Sequence, residues 1–339
     1  MIKPRRLASG DVVAVVSPSW GGPARFPDTF AAGLKTLESL GLQVREYPAT
    51  RAMIASVEER VADIHAACAD PDVKAIVASI GGDDSVRLLP HLDPARIRES
   101  AKIVLGYSDT TTLLSFLVHH GIVAFHGPSV MAGFAQAGAF PAAFLDGLRR
   151  VLFDGTVPFE YPPFSLYCDG YEDWSDPGNA ARPTKLLRDA GPRTVLGRGV
   201  VRGRLWGGCL ETLEMLKGTP WWPGSEAWDG AVIMVEGSEE APEPDDFRRA
   251  LRSWHAAGRL ERIAALIVGR ARDYDDVQKT ELEDVLRTFM LEEADRPDLI
   301  VLANCDFGHT DPQWVLPLGC EVAVDADRAR IILTESPVT

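Results

Sequence analysis

The sequence lacks the motifs by which several large classes of protein bind metals and cofactors. It has no Cys-x-x-Cys, no His-Glu-x-x-His and no Gly-x-Gly-x-x-Gly after its first apolar run. The pair Gly81-Gly82 is not followed by the Gly-Lys-Ser/Thr of a phosphate-binding loop. These absences argue against zinc enzymes and against nicotinamide or flavin enzymes. We therefore predict a protein without a metal or a cofactor.

Cysteine, long apolar runs and excess positive charge are also scarce. Only five cysteines are scattered over 339 residues, which predicts reduced thiols and a cytoplasmic protein. No apolar run reaches the roughly 18 residues that a membrane span requires. The formal net charge of −14 disfavours nucleic acid and anionic membranes as partners. With 46% hydrophobic and 25% charged residues, the chain has the composition of a globular protein.

Strands and helices alternate along most of the chain, which predicts an α/β fold with parallel sheets. In the first half, apolar strands are expected over 11–16, 42–47, 73–80, 103–105 and 121–125. The pattern dissolves from about 158 to 192 and resumes with strands near 199–206, 231–235, 264–268 and 299–303, followed by a hairpin over 321–334. We predict an N-terminal domain over 1–155, a linker and substrate loop over 156–198, and a C-terminal domain over 199–339.

Ser108 lies at the turn between an apolar strand and an apolar helix. The sequence Gly106-Tyr107-Ser108 enters this turn, which would expose the serine hydroxyl and place the next N–H at a helix N-terminus. Such a turn suits a nucleophile with an oxyanion-binding donor beside it. Thr110 replaces the second glycine of Gly-x-Ser-x-Gly. On this stretch alone, a helix cap formed by Ser108 or Asp109 is an alternative interpretation.

A nucleophilic serine needs a base and a group that orients the base. His126 and His309 follow apolar strands, and the carboxyl ends of parallel strands are where sites form. Glu236 ends the apolar run Val232 to Val235. Ser108, His309 and Glu236 therefore have the residue types of a catalytic triad. The structural alternative for His309 is a histidine in a surface turn, and the alternative for Glu236 is an acidic turn exposed to solvent.

The linker carries an aromatic residue in a polar loop. Trp174 lies in the segment Gly170 to Gly178, which is rich in glycine, proline and aspartate. Long loops with exposed aromatics often bind ligands, although packing against a neighbouring surface explains the tryptophan equally well.

Taken together, several short segments resemble a family of serine carboxypeptidases. This family comprises bacterial LD-carboxypeptidases, which act on murein tetrapeptides, and the microcin C self-immunity peptidases of the MccF type. The matching segments, spread over nearly the whole chain, are 15–19, 80–85, 106–111, 235–236 and 307–309.

The resemblance implies a Rossmann-like (flavodoxin-like) N-terminal domain that carries the serine and a smaller α/β C-terminal domain that supplies the acid and the histidine. It implies Ser108 as nucleophile, His309 as general base and then acid, and Glu236 as its orienting group. The oxyanion hole would consist of the Asp109 N–H and an N–H from Gly81 or Gly82. Homodimers are usual in the family.

The length of the chain, the linker tryptophan and the sequence after Glu236 resemble the MccF type. That resemblance implies hydrolysis of aminoacyl- or peptidyl-nucleotide antibiotics, with Trp174 stacked on the nucleobase and Ser17 and Ser85 as further substrate contacts. Asp83-Asp84 departs from the Tyr-Asn or Tyr-Gly of many relatives. Release of terminal D-Ala from murein tetrapeptides is the alternative activity, and a non-catalytic small-molecule-binding protein is the alternative of another class. With His309 as base, activity is expected to fall as the imidazole protonates near pH 6.5.

Overall fold

Two β-sheets with helices packed on them form the fold. The computed structural model describes all residues from 1 to 339. The first half of the chain contains β1 (Val12–Val16), α1 (Gly22–Arg25), α2 (Pro27–Ser39), β2 (Gln43–Glu46), α3 (Val57–Ala69), β3 (Val73–Ala78), α4 (Pro94–Ser100), β4 (Ile103–Gly106), α5 (Thr111–His119), β5 (Ala124–His126) and α6 (Ala143–Arg149).

The second half begins with short linker strands and continues into longer ones. It contains β6 (Phe159–Glu160), β7 (Leu166–Tyr167), β8 (Leu187–Arg188), β9 (Arg193–Leu196), β10 (Val200–Cys209), α7 (Leu210–Leu216), β11 (Val232–Glu236), α8 (Pro244–Ala256), β12 (Ala265–Gly269), α9 (Asp276–Thr288), β13 (Ile300–Cys305), β14 (Leu316–Leu318), β15 (Glu321–Asp325) and β16 (Arg330–Leu333).

The first sheet has the strand order β14-β5-β4-β3-β1-β2, and β1 to β5 are parallel. Its inner strands β1, β3 and β4 are apolar and rich in β-branched residues because helices cover both faces of a parallel sheet, whereas the edge strand β2 is polar. The helices carry the expected end signals. For example, Ser56 caps α3 by accepting from the Glu59 N–H at 3.2 Å, while Glu59 accepts from the Ser56 N–H at 2.7 Å. The predicted α/β fold with a parallel sheet is confirmed.

The second sheet has eight strands in the order β6-β16-β15-β10-β11-β12-β13-β9. Its centre, β10 to β13, is parallel, whereas β15, β16, β6 and β9 add antiparallel strands at the two sides. It therefore has more strands than the first sheet, and two of them, β6 and β9, come from the predicted linker. The predicted hairpin over 321–334 is present as β15 and β16.

Three short strands pair outside the predicted domain that contains them. β14 comes from the C-terminal third of the chain but pairs with β5 in the first sheet. β6 and β9 come from the predicted linker but pair within the second sheet. The boundaries at 155/156 and 198/199 stay a prediction. None of the helices combines the length and the apolar character needed to cross a membrane.

Candidate active site

Ser108 lies at the sharp turn that the sequence indicates. β4 ends at Gly106, Tyr107 is extended, and a single 3₁₀ turn at Ser108–Thr110 leads directly into α5. Ser108 has φ of 60°, a left-handed conformation that a serine adopts at a cost of about 1–3 kcal/mol. A serine held in this conformation marks a functional turn rather than a plain helix cap, and its side chain makes no capping hydrogen bond.

The turn lacks the second glycine of Gly-x-Ser-x-Gly, and glycines elsewhere make room for the threonines Thr110 and Thr111. A Cβ atom on Gly106 would lie 2.8 Å from Thr110 Cγ2, and one on Gly208 would lie 2.5 Å from Thr111 Oγ1. The threonines therefore fit because the strands beside them carry no side chain at these points. The Thr111 hydroxyl also accepts a hydrogen bond from the Cys209 N–H at 3.2 Å, which links the turn to the end of β10.

Gly81 lies against Ser108, and the next residue, Gly82, lies against Ser19 and Trp20. A Cβ atom on Gly81 would lie 2.7 Å from Ser108 Cβ and 2.8 Å from Ser108 Oγ, so only glycine fits there without a shift. The N–H groups of Gly81, Gly82 and Asp109 make no hydrogen bond within the protein. Free N–H groups beside an exposed hydroxyl are what an oxyanion hole requires.

Replacing Gly81 with alanine is expected to lower kcat by about a hundredfold or more. The new methyl group would displace Ser108 or the oxyanion-binding loop, and misplacement by about 1 Å costs on the order of 10²-fold in rate. Gly147→Ala is the matched control, because a Cβ atom there meets nothing within 4 Å. The measurement is kcat for both variants, with circular dichroism to check folding. Equal kcat for Gly81→Ala and wild type would contradict the placement of this loop beside the nucleophile.

The Asp109 side chain holds the segment after Gly82 in place. Its Oδ2 accepts hydrogen bonds from the Ser85 N–H at 2.9 Å, the Asp84 N–H at 3.1 Å and the Ser19 hydroxyl at 2.5 Å. Burial raises the pKa of this fully buried carboxyl, and the hydrogen bonds oppose the rise. From α3, the buried Arg60 donates to the Ser19 carbonyl at 2.8 Å and pairs with Asp84 at 2.5 Å. The turns after β1 and β3 are thus fastened to the turn that carries Ser108 and Asp109.

Ser17 and Ser85 are not among the residues that line the cavity at Ser108. Ser17 donates to the Thr50 carbonyl at 2.8 Å and shares a hydrogen bond with Ser79 at 2.7 Å. Ser85 is fully buried and donates to the Asp109 carbonyl at 2.8 Å. Both hydroxyls are thus engaged inside the protein, and their role as substrate contacts stays a prediction.

His309 and Glu236 form a buried pair. His309 Nδ1 donates to Glu236 Oε2 at 2.7 Å, and Glu236 is fully buried at the end of β11. Gly308, with φ of 101°, permits this approach, since a Cβ atom there would lie 2.7 Å from Glu236 Oε2. Burial alone would raise the pKa of Glu236, but His309 and His126 outweigh it and lower the pKa. The pair is arranged as the base and the orienting group of a triad would be.

A second histidine lies behind the carboxylate. His126, at the end of β5, is fully buried, and its Nε2 lies 3.8 Å from Glu236 Oε1. The sequence placed His126 correctly at a strand end near the site, but it does not line the cavity.

The second ring nitrogen of His309, Nε2, faces another carboxylate, that of Glu239. Glu239 Oε2 lies 2.9 Å from His309 Nε2, and Nε2 makes no hydrogen bond to Ser108 in this state. Burial lowers the pKa of His309, but Glu236 and Glu239 together raise it to about 10. The two acids therefore place the pKa of His309 above the value near 6.5 that the sequence led us to expect. The signal in the sequence was the acidic run after Glu236.

A cavity of about 180 Å³ opens onto these groups. Ser108 and His309 both line it, and so does Tyr107, whose ring centroid lies 5.0 Å from that of His309. Besides the pair of glycines, the wall contains aromatic and charged side chains that come from four separate turns: Trp20, Tyr171, Trp174, Glu239 and Arg272.

Trp174 reaches the cavity on the linker loop. Its ring stacks on Tyr171, with centroids 5.2 Å apart and an interplanar angle of 27°, and meets the edge of Phe26 at 5.6 Å. The Tyr171 hydroxyl donates to Asp311 Oδ2, which anchors the loop beside the turn that carries His309. The sequence had no signal for Tyr171 or Arg272, since their approach depends on tertiary folding.

One group of potential metal ligands coincides with the site. The ligand atoms of Cys209, Glu236 and His309 lie within 4.8 Å of one another, and all three residues are buried. Burial and the neighbouring carboxylates Glu236 and Glu211 raise the pKa of the Cys209 thiol well above its usual value. A protonated thiol and a histidine already bonded to its carboxylate form a poor metal site.

Comparison with known proteins identifies the family. The model of the LD-carboxypeptidase N-terminal domain matches residues 13–127, and that of the LD-carboxypeptidase C-terminal domain matches residues 202–324. The murein tetrapeptide carboxypeptidase of Pseudomonas aeruginosa is 36% identical over 328 residues, which cover 94% of each chain. The chain belongs to the LD-carboxypeptidase family. As a member of this peptidase family it is a serine-type carboxypeptidase.

Relatives of the self-immunity type are similar over the same length. The microcin C7 self-immunity protein MccF of Escherichia coli is 28% identical over 338 residues, covering 97% of this chain and 94% of MccF. A structure of MccF in complex with aspartyl sulfamoyl adenosine superposes with a TM-score of 0.88 and 26% identity over the whole of both chains. The similarity between MccF and this chain therefore extends through both sheets.

Proposed function

We propose that this protein hydrolyses an amide bond through a Ser108–His309–Glu236 triad. The observation that carries the proposal is the buried 2.7 Å pair of His309 and Glu236 in the wall of the cavity onto which Ser108 opens. Ser108 Oγ attacks the carbonyl carbon while His309 Nε2 takes its proton, and Glu236 stabilises the imidazolium. His309 then protonates the leaving nitrogen, and water hydrolyses the acyl-enzyme by the same steps.

The oxyanion of the tetrahedral intermediate would be bound by the Asp109 N–H and by an N–H of Gly81 or Gly82. Support comes from their free donors and from the contact of Gly81 with Ser108. The left-handed backbone of Ser108 is in keeping with the strained strand-to-helix turn on which a nucleophilic serine sits.

We propose aminoacyl- or peptidyl-nucleotides as the substrates, which would make the enzyme a detoxifying one. The aromatic wall of Trp20, Tyr171 and Trp174 supports this choice, because base stacking needs such surfaces. The likeness to MccF with a bound aminoacyl sulfamoyl adenosine adds to it. A murein tetrapeptide is the second candidate, favoured by the 36% identity to the Pseudomonas carboxypeptidase. The cytoplasmic location and the homodimer stay part of the proposal.

A paired hydrolysis assay, read by mass spectrometry, tests this proposal. One reaction contains aspartyl sulfamoyl adenosine and the other a murein tetrapeptide. Cleavage of the nucleotide compound alone is expected. Cleavage of the tetrapeptide alone would assign the enzyme to cell-wall recycling, and cleavage of neither would favour a non-catalytic binding protein.

Trp174→Ala should raise KM for the nucleotide substrate about tenfold to a hundredfold with little change in kcat. The reason is that stacking of one base on an aromatic ring contributes about 1–3 kcal/mol. Trp174→Phe is the matched control, since it keeps an aromatic face and should retain most of the affinity. If Trp174→Ala weakens nucleotide and tetrapeptide equally, the tryptophan serves only to pack the loop against Tyr171 and Phe26.

A further inference from the structure

The contact between Glu239 and His309 blocks the proposed chemistry. His309 Nε2 must accept the Ser108 proton, yet it lies 2.9 Å from Glu239 Oε2. An imidazole held between Glu236 and Glu239 keeps its proton, and a protonated imidazole is no base. Glu239 therefore has to move away from His309 before the imidazole can act as the base.

The turn that carries Glu239 allows the side chain to move while the backbone stays fixed. The Ser238 hydroxyl donates to Glu211 at 2.6 Å and the Ser238 N–H donates to the same carboxylate at 3.1 Å. The Ala241 N–H closes the turn on the Ser238 carbonyl at 3.1 Å. The Glu239 side chain itself is 48% exposed, whereas that of His309 is 4% exposed. Rotation of one exposed side chain suffices to free Nε2.

The charges of the residues that line the cavity indicate which substrate group would move the Glu239 side chain. Among the residues that line the cavity, Glu239 is the only carboxylate, and Arg272 and His309 are the groups that carry positive charge. A substrate ammonium in the cavity therefore has one acid to pair with. A substrate carboxylate would instead be attracted to Arg272, on the turn after β12.

We propose that Glu239 is the binding site for a substrate ammonium group on the acyl residue and that this pairing releases His309 for catalysis. The inference rests on the proposed hydrolytic function. It names the substrate class as compounds whose acyl residue carries a free amine close to the scissile bond. The α-amine of an aminoacyl nucleotide and the side-chain amine of a murein diamino acid both meet this description.

Other titratable groups surround His309 and stay in place when Glu239 leaves. Glu236 contributes from β11, Tyr107 from the catalytic turn, Cys209 from β10, Asp311 from the same turn as His309, and Tyr171 and Arg272 from the turns across the cavity. Glu236 stays hydrogen-bonded to Nδ1, so the released histidine keeps its orienting partner while losing one of its two acids.

The test compares wild type with Glu239→Gln on substrates with a free and with an acetylated amine. Both the aspartyl sulfamoyl adenosine and the murein tetrapeptide serve as probes, so the source of the ammonium is identified by the pair that responds. For wild type, acetylation is expected to lower kcat/KM about tenfold to a hundredfold. For Glu239→Gln, the free and acetylated substrates should differ by less than about threefold. Glu240→Gln, the exposed neighbour, is the control and should behave as wild type.

The pH dependence gives a second readout. In wild type, kcat/KM should fall on the acid side already at a high pH, because Glu239 keeps His309 protonated in the free enzyme. The fall of kcat should occur at lower pH, because kcat reports the enzyme–substrate complex, in which Glu239 is displaced. Glu239→Gln should move the limb of kcat/KM down by about one pH unit or more. An unchanged limb together with an unchanged preference for the free amine would overturn the proposal.

A titration of the His309 imidazole by NMR separates this proposal from the hydrolytic function. Spectra of labelled wild type, Glu239→Gln and, for assignment, His309→Gln require no turnover. A lower pKa in Glu239→Gln supports the contact even if neither substrate is cleaved, in which case only the proposed function fails. An unchanged pKa with active enzyme contradicts the role of Glu239 and leaves the triad standing.

Discussion

Ser108→Ala is expected to lower kcat by a factor on the order of 10⁶, the loss typical when the nucleophile of a triad is removed. Ser108 opens onto the cavity at the left-handed turn between β4 and α5, beside the free N–H groups of Gly82 and Asp109. Without its hydroxyl, His309 and Glu236 have no group to activate. The measurement is hydrolysis of the preferred substrate under single-turnover conditions.

The matched control is Ser115→Ala on α5. Ser115 is buried, but its hydroxyl has no hydrogen-bond partner, so its loss should leave both activity and folding nearly unchanged. Circular dichroism and thermal unfolding should show Ser108→Ala folded, because alanine keeps the Cβ atom and leaves the cost of the left-handed backbone unchanged. Substantial residual turnover in a folded Ser108→Ala protein would rule out the covalent mechanism.

Arg270→Leu is expected to destabilise the protein by about 3–5 kcal/mol, since it leaves buried carboxylates without their partner. Arg270 is fully buried directly after β12. It donates to Asp189 of the linker at 2.7 Å and to Asp306 in the turn that leads to His309. Its guanidinium also lies 4.4 Å from the Tyr167 ring centroid. The residue thus joins the linker to the segment that carries the proposed base.

Urea unfolding of Arg270→Leu and of Arg249→Leu measures this effect. Arg249 pairs with Asp246 on the surface of α8, where both side chains are largely exposed, and such pairs contribute at most about 1 kcal/mol. A loss of stability no larger in Arg270→Leu than in Arg249→Leu would show that the buried network is dispensable. If Arg270→Leu, but not Arg249→Leu, also loses activity at temperatures where the protein remains folded, Arg270 positions His309.

The strand ends were predictable because the apolar runs are long and β-branched. β1, β4 and β11 begin and end close to their predicted limits, which located Ser108 and Glu236 at the mouths of buried strands. Parallel strands bring their carboxyl ends to one edge, so these positions fall in one region of space. His309 was found from the resemblance and from the turn after the last parallel strand.

The remaining features depend on contacts between distant segments. β14 joins the first sheet although 190 residues separate Leu316 from its partner His126, and no local pattern encodes such a pairing. Ser85 has the composition of a substrate contact, yet its hydroxyl is taken by the Asp109 carbonyl. Glu239 resembled a solvated acid because its contact with His309 arises only when two turns meet.

The central claim is a covalent acyl-enzyme on Ser108, and rapid acid quenching followed by peptide mapping tests it most directly. Wild type and Ser108→Ala are mixed with substrate, quenched within one turnover and digested. We expect the peptide that contains Ser108 to gain the mass of the acyl group in wild type. In Ser108→Ala, no peptide should gain this mass. The acyl mass on another residue, or hydrolysis undiminished in Ser108→Ala, would contradict this claim.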